Sequence, residues 1–256
     1  MTAFTRLPAL GRAELTLLAR NRTDLCTALL MPALLAYAVR RAVGGIEAID
    51  PGRAGTTVDE ATVTAAFGLI LLLAVHQNLV GAYVARREEL VLKRLRTGEA
   101  GDREILAGVA LPAALIAAAQ CALLVLVGVV WLDVGPVARP GLLLAGVVLG
   151  IAVCAGLAAV SSARARTVAG ARLVTVPLLL ASLAGSGVLV PPALLPGPVA
   201  SVCELLPLSP AVALLRGGWF GGLGAYKALG LVATALAWSV LAVFAVKRWF
   251  RWEPPR

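Results

Sequence analysis

Six long runs without a charged residue constrain the fold of this chain more than any other feature. They cover Leu25–Val39, Ala61–Ala85, Ile105–Leu132, Gly141–Ala163, Leu173–Val190 and Ala228–Val246. A helix needs about 20 apolar residues to cross the hydrocarbon core of a bilayer, and all runs but the first come close to that length or exceed it. The first run continues past Arg40 and Arg41, whose long side chains can reach the interface.

The sequence therefore predicts an all-α, polytopic membrane protein with six transmembrane helices. The hydrophobic fraction of 60% and the mean hydropathy of +0.90 agree with this class, since soluble domains are about 45–50% apolar. The 26 glycines suit helices that pack closely in lipid. We expect one transmembrane domain over residues 1–256, with spans at about 25–45, 61–85, 105–132, 141–163, 173–190 and 228–246.

The distribution of basic residues predicts the orientation of the chain. Seventeen of the 23 lysines and arginines lie in residues 1–24, 85–104, 161–172 and 247–256, and six lie in the segments on the opposite side. By the positive-inside rule, both termini are expected in the cytoplasm. The first 24 residues contain four arginines and no apolar signal core, so we expect the N-terminus to be retained. The net charge of +9 is thus explained by topology, and the expected contact is a lipid bilayer and not a nucleic acid.

Residues 4–22 are predicted to form an amphipathic helix at the membrane interface. At 100° per residue, one side of this helix is apolar, and it comprises Phe4, Leu7, Leu10, Leu15, Leu17 and Leu18. Glu14 falls within the apolar arc, where an unpaired carboxylate is costly, so it is expected to face protein and a cation. The alternative is that the helix frays or that Glu14 reaches water.

Residues 86–104 form a charged segment between the second and third predicted spans. Read as a continuation of the helix, it places Arg86, Arg87, Lys93 and Arg94 on one arc around Leu90, with Val91, Leu92 and Leu95 opposite. Glu89 and Lys93 have the spacing of a stabilising pair. Thr97-Gly98 then ends the helix, and Asp102 caps the next one at Ile105. The result is a helix–turn–helix elbow on the cytoplasmic side; a solvated loop attracted to anionic lipid is the alternative, but it leaves five acidic residues unexplained.

Residues 191–218 are rich in proline and still mostly apolar, which predicts a re-entrant hairpin on the extracellular side. A broken backbone at membrane depth survives only where protein or a water-filled cavity satisfies it. Short helices are expected at about 193–206 and 209–217. Glu204 is the only acid in this stretch, and an ionisable group near membrane depth is a functional candidate; a position at the bilayer rim is the alternative.

Other polar residues give weaker signals. His76, Gln77 and Asn78 lie inside the second span and are expected to form a polar helix–helix contact or to line a pathway. The four cysteines are scattered without metal-ligand spacing, so we interpret them as packing residues and not as metal or disulfide sites. An integral-membrane enzyme acting on lipid would need clustered acids or histidines for metal or acid–base chemistry. No catalytic, cofactor-binding or metal-binding residue is therefore predicted.

The order of these segments resembles the membrane subunit of ABC-2 type exporters. Its elbow commonly reads E-R-E-x-G-T-L-K-R-L, which aligns with residues 86–95 of this chain, "RREELVLKRL". An E-I-L-x-G motif at the start of the third span matches residues 104–108, and L-L-P-L-T-P before the last span matches residues 205–210, "LLPLSP". The departures are Arg86 in place of an acid and Leu90-Val91 in place of Gly-Thr.

The resemblance implies a dimer of two such chains, expected to be a homodimer, paired with cytoplasmic ATPase subunits that bind ATP and Mg²⁺. This chain has no G-x-x-x-x-G-K-[ST] loop, so we expect no cofactor in the chain itself. An ATPase-coupling surface is expected at Glu14, Arg86, Arg87, Glu88, Leu90, Lys93, Arg94 and Leu95. An outer gate is expected at Glu204, Pro207 and Pro210.

The implied function is ATP-driven export of a hydrophobic or amphipathic substrate, such as a drug, natural product or lipid, across a bacterial plasma membrane. A polysaccharide substrate and an import direction remain open, and so does a heterodimer. Two other functions are alternatives: an integral-membrane enzyme acting on lipid, and a non-transporting membrane anchor. The anchor explains the elbow but not the broken hairpin.

Overall fold

The computed structural model describes residues 37–38, 40–41, 44, 57–98, 101–130, 134–186 and 197–253, and all the regular structure in those ranges is helical. This confirms the predicted all-α membrane fold. Glu14, the predicted interface helix at 4–22 and most of the first predicted span at 25–45 lie outside the described residues.

One continuous helical span from Val58 to Glu88 forms the centre of the described bundle. It consists of α1 (Val58–Leu69), a π-helical segment (Ile70–Gln77) and α2 (Asn78–Glu88). Thr57 begins it by accepting a hydrogen bond from the backbone N–H of Glu60 at 3.2 Å. Of its 18-residue apolar window, 72% is buried inside the structure, whereas the corresponding share in the last span is 11%. The predicted span at 61–85 is therefore the one that the other helices surround.

Four more helices are long and apolar enough to cross a membrane. They are α4 (Asp102–Val130), α5 (Pro140–Ser162), α6 (Val168–Gly185) and α9 (Ala225–Trp249). Each begins before the apolar run that predicted it, because hydropathy marks the part of a helix in hydrocarbon and not its ends. Pro112 and Pro177 lie inside α4 and α6, as transmembrane helices tolerate when neighbouring groups satisfy the freed backbone.

Glycines allow α5 to approach its neighbours closely. A Cβ atom on Gly150 would lie 2.6 Å from a methyl carbon of Leu71 in the π-helical segment. A Cβ atom on Gly146 would lie 2.8 Å from Cγ of Leu215, which follows in the hairpin. Small residues at such contacts give van der Waals packing that lipid cannot replace.

The proline-rich region forms two short helices, α7 (Gly197–Glu204) and α8 (Ser209–Phe220), bent by 95°. None of the residues of α7 is buried, whereas nine residues of α8 are. Backbone N–H groups of Ala138 and Arg139 donate to the carbonyls of Trp219 and Gly218 at 2.9 and 2.8 Å. The α8 helix is thus fixed inside the bundle, and with the bent pair counted as one span the described part of the chain has up to six spans.

The charged elbow is not the continuous helix predicted from the sequence. The α2 helix ends at Glu88, and Leu90 adopts a left-handed conformation with φ 59° and ψ 14° before α3 (Val91–Arg96) begins. This residue turns the chain, so the expected arc of four basic residues around Leu90 does not form. The position is the one at which the resembling motif has glycine, the residue that adopts this conformation without strain.

Candidate functional site

The elbow end of the bundle, which carries α3 and the turn at residues 163–167 between α5 and α6, is anchored by Arg87. Its side chain is only 1% exposed. One terminal nitrogen donates to the carbonyl oxygen of Ser162 at 3.0 Å, and the other donates to that of Ala165. These carbonyls lie at and just beyond the C-terminus of α5, where the helix dipole favours a cation. Arg87 therefore attaches the elbow to the core.

Glu88 makes the complementary contact at the start of the next helix. Its Oε1 atom accepts a hydrogen bond from the backbone N–H of Val168 at 3.3 Å. Thr167 caps the same helix by accepting from the N–H of Gly170 at 3.1 Å. A carboxylate is favourable at a helix N-terminus, so adjacent residues of opposite charge hold the two ends of the 163–167 turn.

The predicted apolar side of α3 packs inward, while its basic residues remain exposed. Leu92 is fully buried, and Leu95 packs against the core. Lys93 and Arg94 are exposed. The predicted pair between Glu89 and Lys93 is wrong, because the break at Leu90 removes their helical spacing. Instead, Glu89 accepts from Arg86 at 3.0 Å.

The C-terminal segment docks on the elbow, a contact that the sequence reading missed. Lys93 forms an ion pair of 3.0 Å with Glu253. The guanidinium of Arg96 lies 4.9 Å from the ring centroid of Trp252, a cation–π contact. Trp252 also packs edge-on against Phe250 at 5.0 Å. The cluster of aromatic and charged residues at 249–253 was the sequence signal that could have indicated this contact.

The elbow is also joined to α4. Arg96 donates to a carboxylate oxygen of Asp102 at 3.2 Å, and Tyr83 donates its hydroxyl to the carbonyl of Leu106 at 3.0 Å. The prediction that Asp102 caps a helix beginning at Ile105 is wrong, since α4 begins at Asp102 itself. Its carboxylate is engaged by Arg96 across the turn, and Glu104 accepts from the N–H of Gly101 at 3.1 Å.

The three polar residues inside the central span occupy different environments. His76 is fully buried at the end of the π-helical segment, and its Nε2 lies 3.4 Å from the hydroxyl of Ser161 on α5. Gln77 is half-buried, and Asn78 is exposed on the isolated chain, with its amide donating to the carbonyl of Ala74 at 3.4 Å. Among contacts between described residues, His76 is the member of the trio placed in a polar contact with another helix.

At the opposite, hairpin end, which carries α7 and α8, Glu204 is exposed. Its side chain is 64% accessible and lies 3.6 Å from Lys227 at the start of α9. Pro207 and Pro210 are buried, where they shape the bend between α7 and α8. The hydroxyl of Ser209 donates to that of Ser186 at 3.1 Å, which ties the bend to the end of α6.

Two ion pairs at the hairpin end were not predicted. Arg40 donates to Asp59 at 2.9 Å, and Glu60 lies 3.8 Å from Arg216 of α8. Both acids lie in the first turn of α1, where they also favour the helix N-terminus. The residues Arg40 and Arg216 were visible in the sequence only as charges interrupting apolar runs.

The fold and these polar anchors define a membrane-embedded helical bundle with a charged elbow at one end and the bent pair of α7 and α8 at the other. In the ranges that the structure describes, no group of three or more His, Cys, Asp or Glu side chains is placed to hold a metal ion. The described cysteines, Cys121, Cys154 and Cys203, are unpaired.

The sequence profile of the ABC-2 type transporter family matches residues 5–220. The chain belongs to this family, which confirms the resemblance seen in its motifs. It is accordingly a membrane permease of the ABC transporter class, a domain that is not itself catalytic, and family permeases generally pair with an ABC ATPase. No curated protein matches the chain.

Proposed function

We propose that this chain is the permease subunit of an ABC exporter in which two copies of the chain pair with two ATPase subunits. The 17 to 6 division of basic residues supports a plasma-membrane topology with the elbow end and both termini in the cytoplasm. The ATPase subunits bind ATP and Mg²⁺, since this chain lacks a phosphate-binding loop.

The observation that carries this proposal is the anchoring of the elbow through Arg87 and Glu88. Exposed basic residues of α3, Lys93 and Arg94, provide the surface on which the ATPase docks. A displacement of α3 is passed through Arg87 to the end of α5 and through Glu88 to the start of α6. Nucleotide-driven closure of the ATPase pair thereby moves several spans together, because these contacts join the elbow to the core.

In this mechanism the moving part of the outer gate is α7, while α8 stays fixed. The α8 helix is fixed by its backbone bonds to residues 138–139, whereas α7 contributes no buried residue. The ion pair of Glu204 with Lys227 is exposed, and exposed pairs contribute about 0–1 kcal/mol. The α7 helix can therefore move at little cost when the spans separate.

The cargo that suits this bundle is a hydrophobic or amphipathic molecule, such as a drug, natural product or lipid, taken from the cytoplasm or the inner leaflet. The spans are apolar along most of their length, with mean hydropathy of 1.7 to 2.6 in their central windows. Such surfaces can contact an apolar molecule without leaving polar groups unpaired.

The test is affinity purification of the full chain from membranes of cells that express it naturally, followed by measurement of ATP hydrolysis and identification of the retained proteins. The wild-type chain is expected to retain an ATPase subunit. The double variant Lys93→Glu/Arg94→Glu should lose that subunit and the hydrolysis while still inserting in the membrane, because exposed charges govern docking more than stability.

The matched control is Arg103→Glu/Arg172→Glu, which reverses two exposed arginines in α4 and α6 at the same end. It should retain the ATPase. Equal loss in both double variants, or retention in both, would contradict docking on α3. A wild-type chain that purifies without any ATPase would contradict the proposed function itself.

A further inference from the structure

The elbow end contains a cavity of about 500 Å³ between the ends of α5 and α9. It is lined on one side by Val160, Ala163 and Arg164 and on the other by residues 248–251. The coupling contacts of Arg87 and Glu88 do not include it, so the proposed transport mechanism leaves this cavity without a role.

Helix packing explains why the cavity lies at this level. A Cβ atom on Gly156 would lie 2.7 Å from Cβ of Ala242, so α5 and α9 touch almost backbone to backbone there. The first lining residue, Val160, comes one helical turn after Gly156. The cavity therefore begins directly beyond this close contact of the helix pair, at the ends of two spans.

The described lining of the cavity carries three positive charges and no negative one. Arg164, Arg248 and Arg251 line it, and within the described part of the chain none of their three side chains forms an ion pair or hydrogen bond. Arg251 is also close enough to the buried Arg87 for their charges to repel each other. Of the acids that the structure describes in the adjoining segments, Glu88 binds the N–H of Val168 and Glu253 pairs with Lys93.

We infer that this cavity binds the phosphate headgroup of an anionic phospholipid. Guanidinium groups bind phosphate through paired hydrogen bonds, and basic pockets between transmembrane helices favour anionic headgroups. The cavity lies where two spans end, which is the depth of the headgroups. Trp249 lines it and is exposed, as suits an aromatic residue at the interface, and exposed Phe244, one turn before the lining residue Arg248 on α9, offers an apolar surface for an acyl chain.

The test reconstitutes the purified full chain in nanodiscs of three parts phosphatidylcholine to one part phosphatidylglycerol, re-extracts it in mild detergent and measures the retained lipids by mass spectrometry. The wild-type chain should retain phosphatidylglycerol well above its share of the bilayer. The triple variant Arg164→Gln/Arg248→Gln/Arg251→Gln should retain it at the bulk share, since each arginine near a headgroup contributes about a fivefold preference.

The matched control is Arg166→Gln/Arg172→Gln/Lys247→Gln, which removes the same charge from exposed residues at the same end but outside the cavity. It should keep the wild-type enrichment. Equal loss in both triple variants would show general charge attraction and overturn the site. Competition by millimolar inorganic phosphate at constant ionic strength would assign the cavity to a soluble anion. If the cavity variant lost a co-purified ATPase but kept the wild-type lipid enrichment, the cavity would be assigned to binding of the partner protein.

A second measurement leaves every arginine in place. Tryptophan fluorescence of the wild-type chain should be quenched more by brominated phosphatidylglycerol than by brominated phosphatidylcholine, and Trp249→Phe should abolish that difference. Equal quenching by the two lipids in the wild-type chain, or a difference that persists without Trp249, would overturn headgroup binding in this cavity.

Discussion

Replacing Arg87 tests whether a buried charge holds the elbow to the bundle. In Arg87→Met, an apolar chain of similar length fills the space, while the carbonyls of Ser162 and Ala165 lose their charged donor and Ser162 keeps only the N–H of Ala165. A hydrogen bond to a charged group contributes about 1.5–3 kcal/mol, so two of them give a gross loss of about 3–6 kcal/mol. The variant no longer has to bury a charged guanidinium, and the desolvation free energy saved offsets part of this loss. The expected net loss in the free energy of unfolding is about 2–4 kcal/mol.

The assay is thermal unfolding of the detergent-solubilised full chain, followed by tryptophan fluorescence and by the monodisperse fraction in size-exclusion chromatography. A loss of that size corresponds to a fall in Tm of roughly 4–16 °C, at about 2–4 °C per kcal/mol. Arg87→Lys keeps the charge but not the forked geometry, so it should lose about half as much. The control is Arg94→Met on exposed α3, expected to change stability by less than about 0.5 kcal/mol. Equal Tm values for Arg87→Met and Arg94→Met would refute the anchor.

Backbone geometry gives two further predictions, and the distribution of basic residues gives a third. Gly218→Ala would place a Cβ 2.5 Å from the backbone of α5 and should prevent recovery of monodisperse protein, whereas Gly230→Ala, which meets nothing within 4 Å, should be recovered normally. Leu90→Gly relieves about 1–2 kcal/mol of strain from the left-handed backbone conformation. It also costs about 0.5–1 kcal/mol, because glycine gives the unfolded chain more conformational entropy. The Tm of this variant should therefore rise by a few degrees, and a clear fall would contradict the strain. In a chain without its native cysteines, a membrane-impermeant thiol reagent should reach Gly224→Cys in intact cells and Gly101→Cys only after permeabilisation, and the reverse would overturn the topology.

The spans were predictable from sequence because hydropathy directly reports which residues can lie in hydrocarbon. The bend was predictable because Pro207 follows α7 and disfavours a continued helix, while Pro210 stands in the first turn of α8, where proline is favourable. Both signals are local, so neither depends on which helices become neighbours.

The elbow was predicted less well because its geometry depends on one dihedral angle and on distant partners. Nothing in Leu90 itself indicates a positive φ, and only the glycine of the resembling motif at that position was a signal. The role of Arg87 depends on carbonyls about 75 residues away along the chain. Helical periodicity therefore grouped Arg87 with Arg86 and Lys93, although burial separates it from both.

The contacts of the elbow differ in strength, and this difference bears on how a partner engages it. Leu92 and Arg87 are buried and hold α3 in place, whereas the ion pair of Lys93 with Glu253 is exposed and contributes about 0–1 kcal/mol. A carboxylate of a docking protein can therefore replace Glu253 without unfolding α3. Because Lys93 belongs to the proposed ATPase surface, we expect the C-terminal segment and the ATPase to compete for the same cation, so that docking releases that segment while the buried anchor transmits the motion.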